Sequence, residues 1–318
     1  MGTGTGRRAL IAIAVLGVGV AAAPAIFQMF ERAPQGKDMI DAFRPYMTDA
    51  QVAKFRGFLD EIGDAHAEAI ETIDPAAAAG LGLDPTSYAE KAQLLATFER
   101  EWPTIDADMS DMLDRMDANV GNFGSVDALP PFDLFPWFFV IPGVLVAGVA
   151  IAALVIQRRG GRVRALIVVA GILGLGLVAA PAIFQMFDRA PDGGQMIDDF
   201  RPLMTETKVR TIQGYFITLG NGEADLRNVA VPAAGLSAAE APAAARFAAD
   251  WPRINREMAP MVGVMADNVD NYEAVDSLPP FPLFPWFFVI PGVLIAAFAV
   301  HAWRADSPSE TDQQGATP

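Results

Sequence analysis

The sequence predicts an all-α integral membrane protein with four transmembrane helices, arranged as two tandem repeats of the same orientation. Each repeat is predicted to run from a transmembrane helix through an extracytoplasmic helical bundle to a second transmembrane helix. The composition supports this, because the chain is 52% hydrophobic and only 19% charged, whereas soluble domains average about 25% charged residues. The second observation is four long stretches without charged residues, and the third is that the two halves of the chain share blocks of sequence.

The four stretches without Asp, Glu, Lys or Arg are each long enough to cross a bilayer. An α-helix rises about 1.5 Å per residue, so roughly 20 residues cover the ~30 Å hydrocarbon core. We predict transmembrane helices at residues 9–27, 135–156, 165–184 and 284–303.

The first of these stretches, preceded by Arg7 and Arg8, resembles a secretory signal peptide. However, Pro24 directly follows its small residues, and the same Ala-Ala-Pro block recurs inside the chain at residues 179–181. We therefore expect this helix to be retained in the mature protein.

The basic residues outside the two long segments predict the orientation in the membrane. They occur in the N-terminal segment 1–8, in the short loop 157–164 and at the start of the tail 304–318, and before Asp306 no acidic residue accompanies them. Short cytoplasmic loops are enriched in Lys and Arg, so both termini and this loop are expected to be cytoplasmic, in the plasma membrane. We expect the polar tail to be disordered.

The two long segments, 28–133 and 185–283, are then extracytoplasmic, and they carry all but three of the 38 acidic residues. So acidic a surface excludes nucleic acid as an expected partner. The expected partners are the lipid bilayer and an envelope or membrane protein.

The two halves match at both ends of these long segments. The sequence Pro-Ala-Ile-Phe-Gln-Met-Phe occurs at residues 24–30 and again at 181–187. The block at 126–143 recurs at 275–292 with few changes. Both repeats therefore have the same order of elements and the same orientation, which predicts a pseudo-two-fold axis along the membrane normal.

The sequence pattern of the two long segments predicts α-helices. After a capping box at Thr48, apolar residues recur at steps of three and four, which predicts an amphipathic helix. We expect Asp74-Pro75 to end this helix and Pro103 and Pro252 to start new ones, with a break at residues 220–222. No period-two alternation predicts a strand.

Aromatic and proline residues mark the points where the second and fourth transmembrane helices begin. We expect Trp137 and Trp286 at the level of the lipid headgroups. Pro136 and Pro285 are compatible with the first turn of each helix. Pro142 and Pro291 lie further in and should bend the helices. These residues either fix the angle of a membrane anchor or open a groove between the repeats.

Methionine is distributed in matching positions, because all twelve methionines after Met1 pair across the two halves. Six of them form two identical helical stripes, Met109, Met112 and Met116 in one half and Met258, Met261 and Met265 in the other. A buried core stripe is the first expectation. The alternatives are a thioether site for Cu(I) and an adaptable pocket for an apolar ligand.

Four arginines lie just outside the predicted membrane helices, Arg32 and Arg44 in one half and Arg189 and Arg201 in the other. They are candidates for binding a lipid phosphate or a carboxylate ligand. The competing expectation is pairing with Asp41 or Asp198.

Catalytic chemistry has little support in the sequence. The chain has no Cys and two His, and it carries none of the common nucleophile, zinc or phosphate-binding motifs. We therefore expect a non-enzymatic protein with no metal or cofactor. The scarcity of Lys beside abundant Ala and Arg is typical of a high-GC bacterial source.

The sequence favours two functions, and a third, an envelope enzyme, would need a cleft with converging carboxylates that the sequence does not identify. The first is a multi-pass plasma-membrane protein whose paired acidic ectodomains bind an envelope partner or an apolar ligand. The second is a component of lipid or small-molecule transport that uses a groove between the repeats. A closed, methionine-packed bundle core would favour the first, and an outer cavity lined by the paired methionines and phenylalanines and open to the bilayer would favour the second.

Overall fold

The computed structural model describes residues 3–306, with side chains from residue 5, and this part of the chain is helical without any strand. Four helical segments are long and apolar enough to cross a membrane: Thr5–Ile26, Phe132–Arg158, Arg164–Ile183 and Phe281–Ala305. They coincide with the four predicted stretches, so the prediction of an all-α protein with four candidate membrane-spanning helices is confirmed. Most of the tail predicted to be disordered, residues 307–318, lies outside the described residues.

The helices within the described range follow the chain in the order α1 (Thr3–Ile26), α2 (Met29–Phe43), α3 (Asp49–Glu68), α4 (Asp74–Leu81), α5 (Pro85–Lys91), α6 (Gln93–Asp127), α7 (Phe135–Arg158), α8 (Arg164–Ile183), α9 (Met186–Phe200), α10 (Glu206–Asp225), α11 (Val231–Ala234), α12 (Pro242–Asp267), α13 (Val269–Asp276) and α14 (Phe284–Ala305). A π-helical turn joins α3 to α4 and another joins α10 to α11, and a 3₁₀ turn precedes each of α7 and α14.

The chain divides into two compact units. Among the described residues, the first contains 3–38, 124–195 and 273–306. In it α1 packs on α7 and α14, and α8 packs on the same two helices. Glycine allows the closest approaches: a Cβ on Gly17 would lie 2.6 Å from the backbone N of Ala147, and one on Gly174 would lie 2.9 Å from the carbonyl O of Gly292. Small residues at such crossings are typical of membrane helix pairs, where close backbone packing supplies the attraction.

The second unit contains residues 39–123 and 196–272, so it draws on both halves of the chain. Here α3 and α10 both pack on α12, and α4 packs on α11. Thr48 and Thr205 begin α3 and α10 by accepting hydrogen bonds from the backbone N–H of Gln51 and of Lys208, each at 3.2 Å. The predicted cap at Thr48 is therefore confirmed, and it satisfies an amide that the helix leaves without a partner.

Side chains from the other half of the chain satisfy further helix starts in this unit. Asp225 accepts hydrogen bonds from the backbone N–H of Leu94 at 2.9 Å and of Leu95 at 3.3 Å, at the start of α6. Glu68 accepts one from the backbone N–H of Ala244 at 2.7 Å, at the start of α12. Helices α6 and α12 thus begin where a distant carboxylate supplies the missing acceptor.

Several local predictions about helix ends are wrong. Pro103 and Pro252 lie inside α6 and α12 rather than at new starts, and α10 runs through residues 220–222 without a break. Asp74-Pro75 does not end the helical path, because the π-helical turn carries it directly into α4.

Candidate functional site

An apolar groove lies between α7 and α8 in the first unit, and we call it the α7–α8 groove. Its volume is about 600 Å³. Its lining consists of hydrophobic side chains and one glycine: Leu129, Pro130, Leu134, Phe135, Trp137, Phe138, Ile141, Pro142, Ile172, Leu173, Gly176, Leu177, Ala180, Phe184, Met186 and Phe288. The groove occupies the end of these helices that is far from the basic link at 158–164.

Local sequence explains how the groove is built. Pro136 stands in the first turn of α7, where a missing N–H is harmless, and Pro142 lies inside the helix and lines the groove. On α8, nothing lies within 4 Å of the position that a Cβ of Gly176 would take. The wall of the groove at this position is therefore bare helix backbone.

The remaining residues of the two Leu-Phe-Pro-Trp-Phe-Phe blocks take matching positions. Trp137 and Trp286 are 49% and 48% exposed, and each contacts a phenylalanine edge-on, Phe30 at 5.7 Å and Phe187 at 5.8 Å between ring centroids. Half-exposed indole rings at helix ends are typical of membrane interfaces. Pro285 and Pro291 occupy in α14 the positions of Pro136 and Pro142 in α7.

The four candidate arginines fall into two classes. Arg44 pairs with Asp41 at 2.7 Å, and Arg201 pairs with Asp198 at 2.9 Å.

The other two arginines bind backbone instead. Arg32 donates to the carbonyl of Ser277 at 3.1 Å, and Arg189 donates to the carbonyl of Ala128 at 2.9 Å. Within the described residues, no carboxylate forms an ion pair with either of these two guanidinium groups.

The methionine stripes meet in the second unit. Met112, Met116, Met261 and Met265 line an apolar chamber together with four further methionines, Met39, Met47, Met196 and Met204. Met109 and Met258 are buried in the same unit but do not line this chamber. The chamber volume is only about 50 Å³, so these side chains nearly fill the space they enclose.

A carboxyl cluster that the sequence did not single out lies in the second unit beside a cavity of about 290 Å³. Asp74, Tyr88 and Glu99 line this cavity, and Tyr88 donates a hydrogen bond to Asp74 at 3.1 Å. One oxygen of Glu99, Oε1, is buried without a hydrogen-bond partner. Nearby, a ring nitrogen of His66, Nε2, lies 3.2 Å from the Glu99 carbonyl.

Burial is the largest cause of the pKa shifts of Glu99, Asp74 and His66. Desolvation, followed by the hydrogen bond to Asp74 and the charge of Asp74, raises the pKa of Glu99 to about 8. Desolvation also raises the pKa of Asp74, which two hydrogen bonds partly offset. Burial lowers the pKa of His66. The raised pKa favours a protonated Glu99 at neutral pH, beside the carboxyl group of Asp74.

Sequence reasoning also missed a pair of buried asparagines. Asn119 donates to the carbonyl of Arg115 at 2.9 Å and to Asp199 at 3.0 Å, and Asn268 donates to the carbonyl of Val264 at 2.8 Å. The sequence signal was available, because both belong to an Asn-Val-x-Asn motif that occurs once in each half.

The fold and these sites define an all-helical protein with four candidate membrane-spanning helices, an apolar groove among those helices and a methionine-packed second unit. No protein family model matches the chain, and comparison with curated proteins finds no match.

Proposed function

We propose that this is a multi-pass plasma-membrane protein of duplicated architecture that holds a lipid in the α7–α8 groove, as a non-enzymatic component of lipid or small-molecule transport. The observation that carries the proposal is the groove itself, about 600 Å³ and lined only by apolar residues and glycine. It lies on helices long and apolar enough to span a membrane, where acyl chains are the surrounding medium.

The volumes of the two apolar spaces favour this function over a ligand in the methionine chamber. Preformed ligand pockets measure roughly 300–1,000 Å³, and the groove falls within that range. The chamber, at about 50 Å³, is not much larger than the ~30 Å³ that one water occupies in the liquid. We therefore assign the methionine stripes to core packing, which is the arrangement expected for a partner-binding protein, and the transport proposal rests on the α7–α8 groove alone.

The dimensions of the groove fit an acyl chain. Along α8 it extends from Ile172 to Phe184, which is about 18 Å at 1.5 Å per residue. Half of the ~30 Å hydrocarbon core is of similar length. The groove thus has the length of one membrane leaflet.

Matching contacts support the duplicated architecture. Arg32 and Arg189 each donate to a carbonyl of the opposite half. The helix crossings at Gly17 and Gly174 also involve equivalent glycines and alanines. Such reciprocal contacts are what a pseudo-two-fold arrangement of same-orientation repeats produces.

The proposed orientation has the basic link 158–164 in the cytoplasm and the acidic segments outside, where an envelope protein has access to them. The chain has no cysteine, so single-cysteine labelling tests this directly. In intact cells a membrane-impermeant maleimide should label Ser87→Cys and not Arg159→Cys. The reverse pattern would overturn the orientation.

The decisive experiment for lipid binding blocks the groove. Gly176→Phe places a ring in the groove, whereas Gly19→Phe adds the same ring at the matching position of α1, where a Cβ also has open space. We expect the full chain and Gly19→Phe to retain bound lipid in native mass spectrometry after detergent purification, and Gly176→Phe to lose it. Equal lipid retention in all three proteins would refute the proposal.

A further inference from the structure

Arg189 lies close to two residues that line one end of the α7–α8 groove, Met186 and Leu129. It follows Met186, which lines the groove, by three residues on α9, so the two share a helix face. Its guanidinium donates to the carbonyl of Ala128, and the next residue, Leu129, also lines the groove. The hydrogen bond therefore holds this positive charge beside the apolar lining.

Within residues 5–306, no carboxylate forms an ion pair with Arg189. Arg201, further along the chain, forms an ion pair with Asp198, whereas Arg189 donates to the neutral carbonyl of Ala128. A guanidinium has five N–H donors in a planar fork that matches the oxygens of a phosphate. One N–H group is used, and the others remain available to a second acceptor.

Contacts between the apolar groove and an acyl chain do not by themselves select one kind of lipid over another. Inside a bilayer the acyl chains around the protein are as apolar as the groove, so transfer of a chain into the groove has little hydrophobic driving force. Selection must then come from polar contacts at the end of the groove. A charge-assisted hydrogen bond from a guanidinium is among the strongest contacts that a headgroup can form.

We infer that Arg189 binds the headgroup phosphate of the lipid in the α7–α8 groove, so that the lipid is a phospholipid rather than a neutral glyceride. This inference rests on the proposed function, because it needs a lipid in the groove. Arg32 is the matched residue of the other half, with the same type of carbonyl contact, but it belongs to α2 and has no part in this groove.

The test uses the full chain in nanodiscs that contain phosphatidylethanolamine and diacylglycerol in equal amounts, with bound lipids counted by native mass spectrometry. We expect the intact protein and Arg32→Gln to prefer phosphatidylethanolamine. Arg189→Gln should lower that preference about tenfold while lipid remains bound. Arg189→Lys keeps the positive charge and should retain part of the preference.

The outcomes separate the two proposals. If Arg189→Gln binds lipid with an unchanged preference, the role of Arg189 is refuted and lipid binding in the groove stands. If Gly176→Phe retains as much lipid as the intact protein, the groove is not the binding site and the proposed function fails. Should Arg189→Gln fold poorly, Arg189→Lys decides, because loss of the planar fork at constant charge should still weaken the preference.

Discussion

Replacement of Glu99 by glutamine is expected to remove most of the pH dependence of local unfolding around α4 and α5. The ordinary pKa of a glutamate is 4.5, and burial beside Asp74 raises that of Glu99 to about 8. Between these two values the folded protein holds a proton that the unfolded segment releases. The stabilising contribution of Glu99 is therefore complete below about pH 4.5 and is lost as the pH rises through about 8.

The size of the effect follows from the shift. Each pKa unit corresponds to about 1.4 kcal/mol, so the full shift would amount to about 5 kcal/mol. Glu99 is partly exposed to solvent, and screening reduces this to about 2 kcal/mol. Such a difference corresponds to a change of roughly 30-fold in the local opening equilibrium.

Hydrogen exchange of the full chain measures this opening directly. After correction for intrinsic exchange rates, amide protection in α4 and α5 should fall roughly 30-fold from about pH 5 to about pH 9 in the intact protein. In Glu99→Gln it should change by less than about threefold. The exposed neighbour Glu71→Gln serves as control and should behave like the intact protein. Protection that does not vary with pH, or the same slope in Glu99→Gln, would refute the reasoning.

Three further predictions concern packing and helix ends. Gly17→Leu should separate α1 from α7, because its Cβ would lie 2.6 Å from the backbone N of Ala147; thermal unfolding in detergent should occur at a lower temperature than for Gly19→Leu, and equal values would contradict the close crossing. Asp225→Ala should cost about 1 kcal/mol of local stability, seen as faster hydrogen exchange confined to the first turn of α6; unchanged exchange there would argue against the cap. In denaturant unfolding, Met112→Ala should lower the free energy of unfolding by about 2–5 kcal/mol and Met112→Leu by less than about 1.5 kcal/mol. If Met112 binds a ligand and does not pack in the core, both variants should be as stable as the intact protein.

Features that depend on a short stretch of sequence were predictable. The four membrane-type helices follow from local composition and length, and the cap at Thr48 follows from four adjacent residues. The burial of Met112 and Met116 follows from their spacing on one helix face. Each of these features is determined by residues within a single helix or its first turn.

Features that depend on contacts between distant segments were not predictable. Helix α6 begins ten residues before Pro103 because Asp225 caps it, and that contact joins positions 131 residues apart. The raised pKa of Glu99 likewise depends on burial by the surrounding helices and then on Asp74, which belongs to another helix. The groove depends on how far α7 and α8 stand apart, which no local pattern specifies.

The reciprocal caps have a consequence for the order of events during synthesis. The first turn of α6 cannot be completed until the ribosome has produced Asp225, whereas Glu68 already exists when α12 emerges. The first half of the chain therefore lacks this helix cap until the second half has been synthesised. If the two halves arose by duplication, a single-copy ancestor could have obtained the same caps only from another molecule of itself, and fusion would have turned that encounter between two chains into a tethered one.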